Sequence, residues 1–167
     1  SFCDAGCGVG SLSIPLAKMG IGSILASDIS QSMVDETKRR AQSLKIHESN
    51  LKVITSDLEN LQGSFHTVIC LDVFIHYPQA AAEEMVRHLC MLSEKKLIVS
   101  FAPYTPLLAL LKRIGQLFPG PSKTTRAYTL RESGIINAAK KSGFFPVKSK
   151  LNQAPFYFSK LIEFQKK

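Results

Sequence analysis

Apolar runs bounded by turn residues alternate with helix-type patterns along the first hundred residues. The run at 65–71 is almost continuously apolar, as is typical of a strand buried on both faces of a sheet. After Ser30, which is predicted to cap a helix, apolar residues recur with the 3.6-residue period of that helix. The other predicted strands are 2–3, 23–27, 51–55 and 96–101, and the other predicted helices are 11–19 and about 80–92. This alternation predicts an α/β fold with a central, mostly parallel sheet and helices on both faces.

The pattern changes after residue 103. Residues 105–118 are predicted to form an apolar helix, which the proline-rich run 119–123 cannot continue. A further helix over about 130–141 precedes two extended segments, 145–151 and 156–164, which we predict to pair as antiparallel strands. The 167 residues suit one domain, 1–167, with an insertion at 104–130. Because the chain lacks an initiator methionine and begins almost inside its first strand, we expect an N-terminally truncated fragment.

Charge is distributed unevenly along the chain. Residues 1–94 hold 7 Lys and Arg against 11 Asp and Glu, whereas residues 95–167 hold 14 against 2. The basic second half favours an anionic partner, which the charge alone leaves open among a carboxylated substrate, a lipid surface and nucleic acid. The four cysteines follow no C-x-x-C pattern, so neither a zinc site nor a disulfide framework is indicated and a reducing compartment is expected.

A glycine-rich stretch between the first strand and the first helix dominates the chemistry. It reads D-x-G-x-G-x-G, with Asp4 before Gly6, Gly8 and Gly10. Glycines allow a tight turn and close approach of the backbone to a ligand, and the oriented N–H groups of the loop suit polar ligand groups. The leading acid departs from the G-x-G-x-x-G dinucleotide fingerprint and favours a ligand with a cationic end. NAD is therefore the less favoured alternative.

Four aspartates follow four successive predicted strands: Asp4, Asp28, Asp57 and Asp72. Ligands of open parallel sheets bind beyond the carboxyl ends of the strands, so these side chains are expected to converge. Asp28 lies 18 residues beyond Gly10, at the offset of an acid that accepts ribose hydroxyls. Taken singly, each aspartate is also a common helix cap or turn former.

At the residue level, the glycine-rich stretch resembles the first motif of S-adenosylmethionine (SAM) dependent methyltransferases, in which the acid faces the methionine ammonium. From Asp57 onward the chain resembles magnesium-protoporphyrin IX methyltransferases, which esterify a porphyrin propionate in chlorophyll biosynthesis. The stretches that carry this resemblance are D-L-E at 57–59, C-L-D-V-F-I-H-Y-P-Q at 70–79, S-F-A-P at 100–103, L-K-R-I-G-Q-L-F-P-G-P-S-K at 111–123, T-R-A-Y at 125–128 and F-Y-F at 156–158. A histidine expected after R-A-Y is absent, and we expect the N-terminal segment of the family to be missing from this fragment.

The resemblance implies a Rossmann-like class I methyltransferase fold with SAM as methyl donor and no metal ion in the protein. The residues it implies for SAM binding are Asp4, Gly6, Cys7, Gly8, Gly10, Asp28, Ile29, Met33, Asp57, Leu58 and Leu71. It implies His76 as the catalytic residue, Tyr77 in porphyrin binding and 104–130 as a substrate-binding insertion. Lys123 and Arg126 follow the rigid turn 119–121, and we predict that they bind a porphyrin propionate, with two solvated charges as the alternative. The expected location is the plastid, or the cytoplasm or membrane of a photosynthetic bacterium. Expected partners are a magnesium chelatase subunit and a membrane surface, but not nucleic acid.

The chemistry narrows the role of His76. A carboxylate has a pKa of about 4 and is already ionised at neutral pH, so methyl transfer to it needs orientation and not a general base. We therefore interpret His76 as a hydrogen-bonding positioner, with axial contact to the porphyrin magnesium or packing at a helix entry as alternatives. His47, His66 and His88 are expected at the surface. The rival functions are methylation of another small acid or phenol, such as a quinone precursor, and an inactive SAM-binding scaffold.

Overall fold

In a computed structural model, residues 1–104, 128–154 and 157–167 are described. Their seven strands form one sheet in the order β3-β2-β1-β4-β5-β7-β6. The strands are β1 (Phe2–Ala5), β2 (Ile24–Asp28), β3 (Leu51–Thr55), β4 (Phe65–Cys70), β5 (Ser93–Phe101), β6 (Phe144–Ala154) and β7 (Tyr157–Lys166). The helices are α1 (Ser13–Lys18), α2 (Gln31–Ser43), α3 (Gln79–Leu92) and α4 (Glu132–Lys141), and a single 3-10 turn spans Phe74–His76. The predicted helix 105–118 lies outside the described residues.

The first five strands pair in parallel, and β7 pairs antiparallel with both β5 and β6. The prediction of a mostly parallel sheet with a terminal antiparallel pair is confirmed. Strand order reverses at β1, which lies between β2 and β4. The carboxyl ends of β1 and β4 therefore open a crevice at this reversal, where ligands of such sheets bind.

Side chains of β2 alternate between two apolar clusters. Ile24 and Ala26 pack with residues of α1 and α2, whereas Leu25 packs against the larger cluster to which α3 and α4 contribute. Because successive strand residues point to opposite faces, the helices cover both faces of the sheet. Within the described part of the chain, no helix is long and apolar enough to cross a membrane.

The predicted N-cap position of α2 is confirmed, but the Ser30 hydroxyl does not make the capping bond. Ser30 occupies the N-cap position, and its hydroxyl makes no hydrogen bond to a backbone N–H of the helix. That hydroxyl instead lies 2.9 Å from the hydroxyl of Ser32, and the Ser30 amide donates to Oδ1 of Asp28 at 2.9 Å. The carboxylate of the preceding strand thus fixes the entry to α2.

Candidate functional site

The glycine-rich loop runs from the end of β1 to the first turn of α1. A Cβ on Gly6 would collide with Cγ2 of Val73, and one on Gly10 would lie 2.7 Å from Cγ2 of Thr37. Gly8 also has a positive φ of 53°, but a Cβ there would meet no described atom within 4 Å. Packing therefore requires glycine at Gly6 and Gly10, whereas Gly8 faces free space that a ligand can approach.

Asp28, at the end of β2, holds the loop in place. Its Oδ2 accepts the N–H of Gly8 at 2.9 Å, and its Oδ1 accepts the amide of Ser30. The carbonyl of Gly8 accepts the hydroxyl of Thr37 at 2.9 Å, so both backbone groups of this glycine are engaged. A carboxylate has about four acceptor positions, and the two bonds leave Asp28 able to accept further hydroxyl groups.

Asp4 is buried and is not one of the residues that line the cavity described below. It is only 4% exposed, and the hydroxyl of Ser13 donates to its carboxylate. Burial raises the pKa of Asp4, and the hydrogen bond from Ser13 opposes that rise. Direct contact of Asp4 with a ligand ammonium stays a prediction.

A cavity of about 500 Å³ lies beyond the carboxyl ends of the strands flanking the reversal. Eight predicted site residues line it, together with two that the site prediction did not include, Asp72 and Val73. The eight are Gly6, Asp28, Ile29, Asp57, Leu58, Leu71, His76 and Tyr77. Asp4, Cys7, Gly8, Gly10 and Met33 are not among the lining residues. Lys123 and Arg126 lie outside the described residues.

The cavity combines negative charge with apolar walls. Asp28, Asp57 and Asp72 contribute three carboxylates, and no described Lys or Arg lines the space. Such a site favours a ligand that carries positive charge. Ile29 is 72% exposed at the rim, which leaves apolar surface for a ligand ring. Among the residues described, no cluster of His, Cys, Asp and Glu is suited to holding a metal ion.

Tyr77 contributes a neutral hydroxyl. Burial raises the pKa of this phenol, and the negative charge of Glu59 raises it further. Its ring packs edge-on against the fully buried Phe74, with ring centroids 6.3 Å apart. At neutral pH the hydroxyl is therefore protonated and can donate a hydrogen bond.

His76 ends the 3-10 turn that follows β4. Its amide donates to the carbonyl of Val73 at 3.1 Å, and its side chain lies at the exposed mouth of the cavity. His47 and His66 are exposed, as predicted, whereas His88 is half-buried with Nε2 3.1 Å from the Leu61 carbonyl oxygen. Of the four histidines, His76 is the one that lines the cavity.

Backbone hydrogen bonds connect the residues on either side of 105–127 with each other and with this turn. The amide of Tyr104 donates to the carbonyl of Leu130, and the amide of Leu130 donates to Ala102, both at 2.8 Å. The amide of Tyr128 donates to the carbonyl of Ile75, also at 2.8 Å. The last of these bonds joins Tyr128 to the residue that directly precedes His76.

Asp72 and Val73 are the two cavity residues that sequence reasoning missed. Asp72 was recognised as a strand-end acid but not assigned to the site, and Val73 had no polar group to attract notice. The role of Val73 follows from its contact with Gly6, which is 67 positions away in the chain. No local pattern signals that contact, although the C-L-D-V-F-I-H-Y-P stretch contains both residues.

Two family profiles match overlapping parts of the chain. The family profile described as "Magnesium-protoporphyrin IX methyltransferase C-terminus" matches residues 70–166, and one described as "Methyltransferase domain" matches residues 2–93. The chloroplastic magnesium protoporphyrin IX methyltransferase of Arabidopsis thaliana is 52% identical over 163 residues, which are 98% of this chain and 52% of that protein. The chain thus spans about half the length of this relative.

Two further similarities come from a cyanobacterium. The magnesium-protoporphyrin O-methyltransferase of Synechocystis is 48% identical over 161 residues, covering 96% of this chain and 70% of that protein. A crystal structure of magnesium protoporphyrin IX methyltransferase from Synechocystis PCC 6803 with bound SAH superposes with a TM-score of 0.90 at 44% identity. The superposition covers 99% of this chain and 74% of that one.

Proposed function

The chain belongs to the magnesium-protoporphyrin IX methyltransferase family, and on this premise we propose that it methylates a propionate carboxylate of magnesium-protoporphyrin IX with SAM in chlorophyll biosynthesis. The observation that carries the proposal is the cavity at the strand reversal, where the loop held by Asp28 meets the turn that bears His76. SAM carries an ammonium and a sulfonium, which suit a cavity with three carboxylates. A relative with bound SAH, the demethylated form of SAM, supports the assignment.

The SAM site in this proposal comprises the open face of the glycine loop and the cavity floor. Gly8 admits close approach of the amino acid portion, and the free acceptor positions of Asp28 bind the ribose hydroxyls. Ile29 and Met33, which are 72% and 40% exposed, offer apolar surface to the adenine. Cys7 and Gly10 support the loop, while Asp57, Leu58 and Leu71 complete the wall.

The residues of the chain act by positioning. SAM supplies an electrophilic methyl group, and the acceptor carboxylate is ionised at neutral pH, so no side chain needs to remove a proton. His76 and the neutral hydroxyl of Tyr77 lie at the mouth of the cavity, where they orient the carboxylate by hydrogen bonding. Orientation and exclusion of water account for up to about 7–11 kcal/mol of barrier lowering in well-aligned reactions.

The porphyrin is expected to contact the insertion 104–130 of a single domain. The hydrogen bond from the Tyr128 amide to the Ile75 carbonyl supports this, because it joins a described residue of that insertion to the neighbour of His76. Lys123 and Arg126 would bind the second propionate, since a guanidinium forms a planar two-point contact with a carboxylate.

Location and partners are part of the proposal. The Arabidopsis relative is chloroplastic, which supports a plastid location for this chain. A basic surface at α4, β6 and the end of β7 supports association with a membrane surface or with a magnesium chelatase subunit. Its exposed lysines are Lys140, Lys141, Lys148, Lys150, Lys166 and Lys167.

A transfer assay with methyl-labelled SAM tests the function. The acceptors are magnesium-protoporphyrin IX, metal-free protoporphyrin and a quinone precursor, and the Asp28→Ala variant serves as the inactive control. We expect transfer to magnesium-protoporphyrin above the other two acceptors and loss of that transfer in the variant. Preferred labelling of the quinone precursor would establish the rival function, and SAM binding without transfer to any acceptor would indicate a scaffold.

A further inference from the structure

Asp72 comes after β4 in a backbone conformation that is uncommon for residues other than glycine. Its φ is +59°, in the left-handed region. This region costs an L-residue about 1–2 kcal/mol, although aspartate and asparagine tolerate it better than most residues. Such strain persists only where surrounding contacts fix it, and here it occurs at a residue that lines the cavity.

Two buried hydroxyls supply those contacts. Oγ of Ser100, on β5, accepts the amide of Asp72 at 2.8 Å and donates to its Oδ1 at 2.8 Å. Oγ of Ser159, on β7, donates to the same Oδ1 at 3.2 Å. The two serines are only 3% and 4% exposed, so the carboxylate is tied to the two strands next in order after β4.

The direction of the chain at Asp72 sets the course of residues 73–76. Val73 turns onto Gly6 of the glycine loop, and Phe74 enters the core with no exposed surface. The carbonyl of Val73 then accepts the amide of His76, which closes the 3-10 turn. The Asp72 contacts therefore lie at the base of the segment that carries His76 to the cavity mouth.

We propose that Asp72 is a positioning residue for methyl transfer: its carboxylate, held by Ser100 and Ser159, fixes the left-handed turn that places Val73 against the glycine loop and His76 at the cavity. This inference rests on the proposed function, because the reaction that His76 serves is the one assigned there. A purely structural residue would affect only the stability of the fold. A positioning residue also affects kcat, because a turn that stays folded but shifts would misplace His76.

Three variants distinguish an effect on the position of the turn from an effect on the stability of the fold. Asp72→Asn keeps the Oδ1 acceptor and tolerates positive φ, so kcat should stay within about threefold of wild type. Asp72→Gly keeps the backbone freedom but loses the anchor, and misplacement of about 1 Å predicts a fall in kcat of tenfold to about 100-fold. Ser93→Ala is the matched control, because Ser93 is 2% exposed at the other end of β5 and donates to the Leu89 carbonyl at 2.8 Å. It should lower thermal stability and leave kcat unchanged.

KM for SAM is expected to rise to the same extent in Asp72→Asn and Asp72→Gly, because both remove one of the three cavity carboxylates, whereas kcat should fall in Asp72→Gly alone. If Asp72→Gly turns over as fast as Ser93→Ala, the inference is overturned. It is also overturned if Asp72→Asn is as slow as Asp72→Gly, because the retained acceptor then has no positioning effect.

Amide hydrogen exchange tests whether Asp72 holds the turn, and it does not depend on methyl transfer. The Asp72, His76 and Tyr77 amides are hydrogen-bonded, and we expect Ser100→Ala and Asp72→Gly to accelerate exchange at His76 and Tyr77 while Ser93→Ala does not. Unchanged exchange at His76 and Tyr77 would contradict the inference. If the wild-type protein transfers no methyl group, the proposed function fails, and exchange still establishes whether Asp72 holds the turn.

Discussion

Gly8→Ala is the sharpest test of the SAM site, because the structure separates its effect on folding from its effect on binding. The added methyl would meet no described atom within 4 Å, so the folded chain has room for it. At a φ of 53°, alanine lowers the free energy of unfolding by about 1–2 kcal/mol. Because alanine also reduces the conformational entropy of the unfolded chain, about 0.4–1 kcal/mol of this loss is offset. The expected loss in unfolding free energy is thus about 1 kcal/mol, or roughly 2–4 °C in Tm.

Binding should respond much more strongly. The added methyl group would occupy the space beside Gly8 that the amino acid portion of the ligand approaches. It should weaken SAH binding by more than about tenfold, which corresponds to about 1.4 kcal/mol. Gly20→Ala is the matched control, since Gly20 has a φ of 67°, its Cβ would also meet no described atom within 4 Å, and it follows α1 instead of lying in the glycine-rich loop. Isothermal titration calorimetry measures both Kd values, and calorimetric unfolding measures both Tm values. Equal SAH affinity in the two variants at equal Tm would refute the assignment of Gly8 to the site.

Three further predictions concern turnover, substrate affinity and pH. His76→Ala should lower kcat and leave SAM dissociation within a few-fold of wild type, while His76→Asn should keep part of the rate; an asparagine variant as slow as the alanine one would instead indicate acid–base catalysis. Arg126→Lys should raise the porphyrin KM because lysine cannot form the two-point contact, and unchanged KM in both this variant and Lys123→Ala would place the propionate contact elsewhere. Asp4→Asn should raise the unfolding free energy at pH 7, because burial raises the pKa of Asp4 and its ionised form is disfavoured in the folded state. This advantage should shrink as pH falls through the raised pKa and vanish below the ordinary value of 3.8, and denaturant unfolding across pH would contradict the account if the difference stayed constant.

The alternating part of the fold could be predicted because its strands are short, mostly apolar runs bounded by turn residues. Residues 51–55 coincide with β3, and the predicted strand 65–71 exceeds β4 by one residue. β5 begins at Ser93, three residues before the prediction, because its first residues include the exposed Glu94 and Lys95 and continue directly from α3. The edge strand β6 extends three residues past the prediction, to Ala154, for a related reason: Asn152 and Gln153 are polar and face water.

The sequence identified most of the residues of the site, but it did not predict the contacts between them. The spacing of Asp28 after the glycines anticipated a residue at the cavity, yet only the structure shows that this carboxylate also fastens the Gly8 amide. Similarly, Asp72 could be placed at a strand end, but its two serine partners lie 28 and 87 positions away. Contacts over such distances depend on strand order, which local patterns do not encode.

The central claim is that this chain forms a methyl ester on a porphyrin propionate. The most direct measurement incubates the protein with methyl-labelled SAM and magnesium-protoporphyrin IX, isolates the pigment and treats it with mild alkali. A methyl ester is cleaved under these conditions, so the account predicts that the label is released as methanol and that the unmodified porphyrin is recovered. Label that stays on the macrocycle after alkaline treatment, or that never reaches the pigment although SAM is bound, would contradict the account.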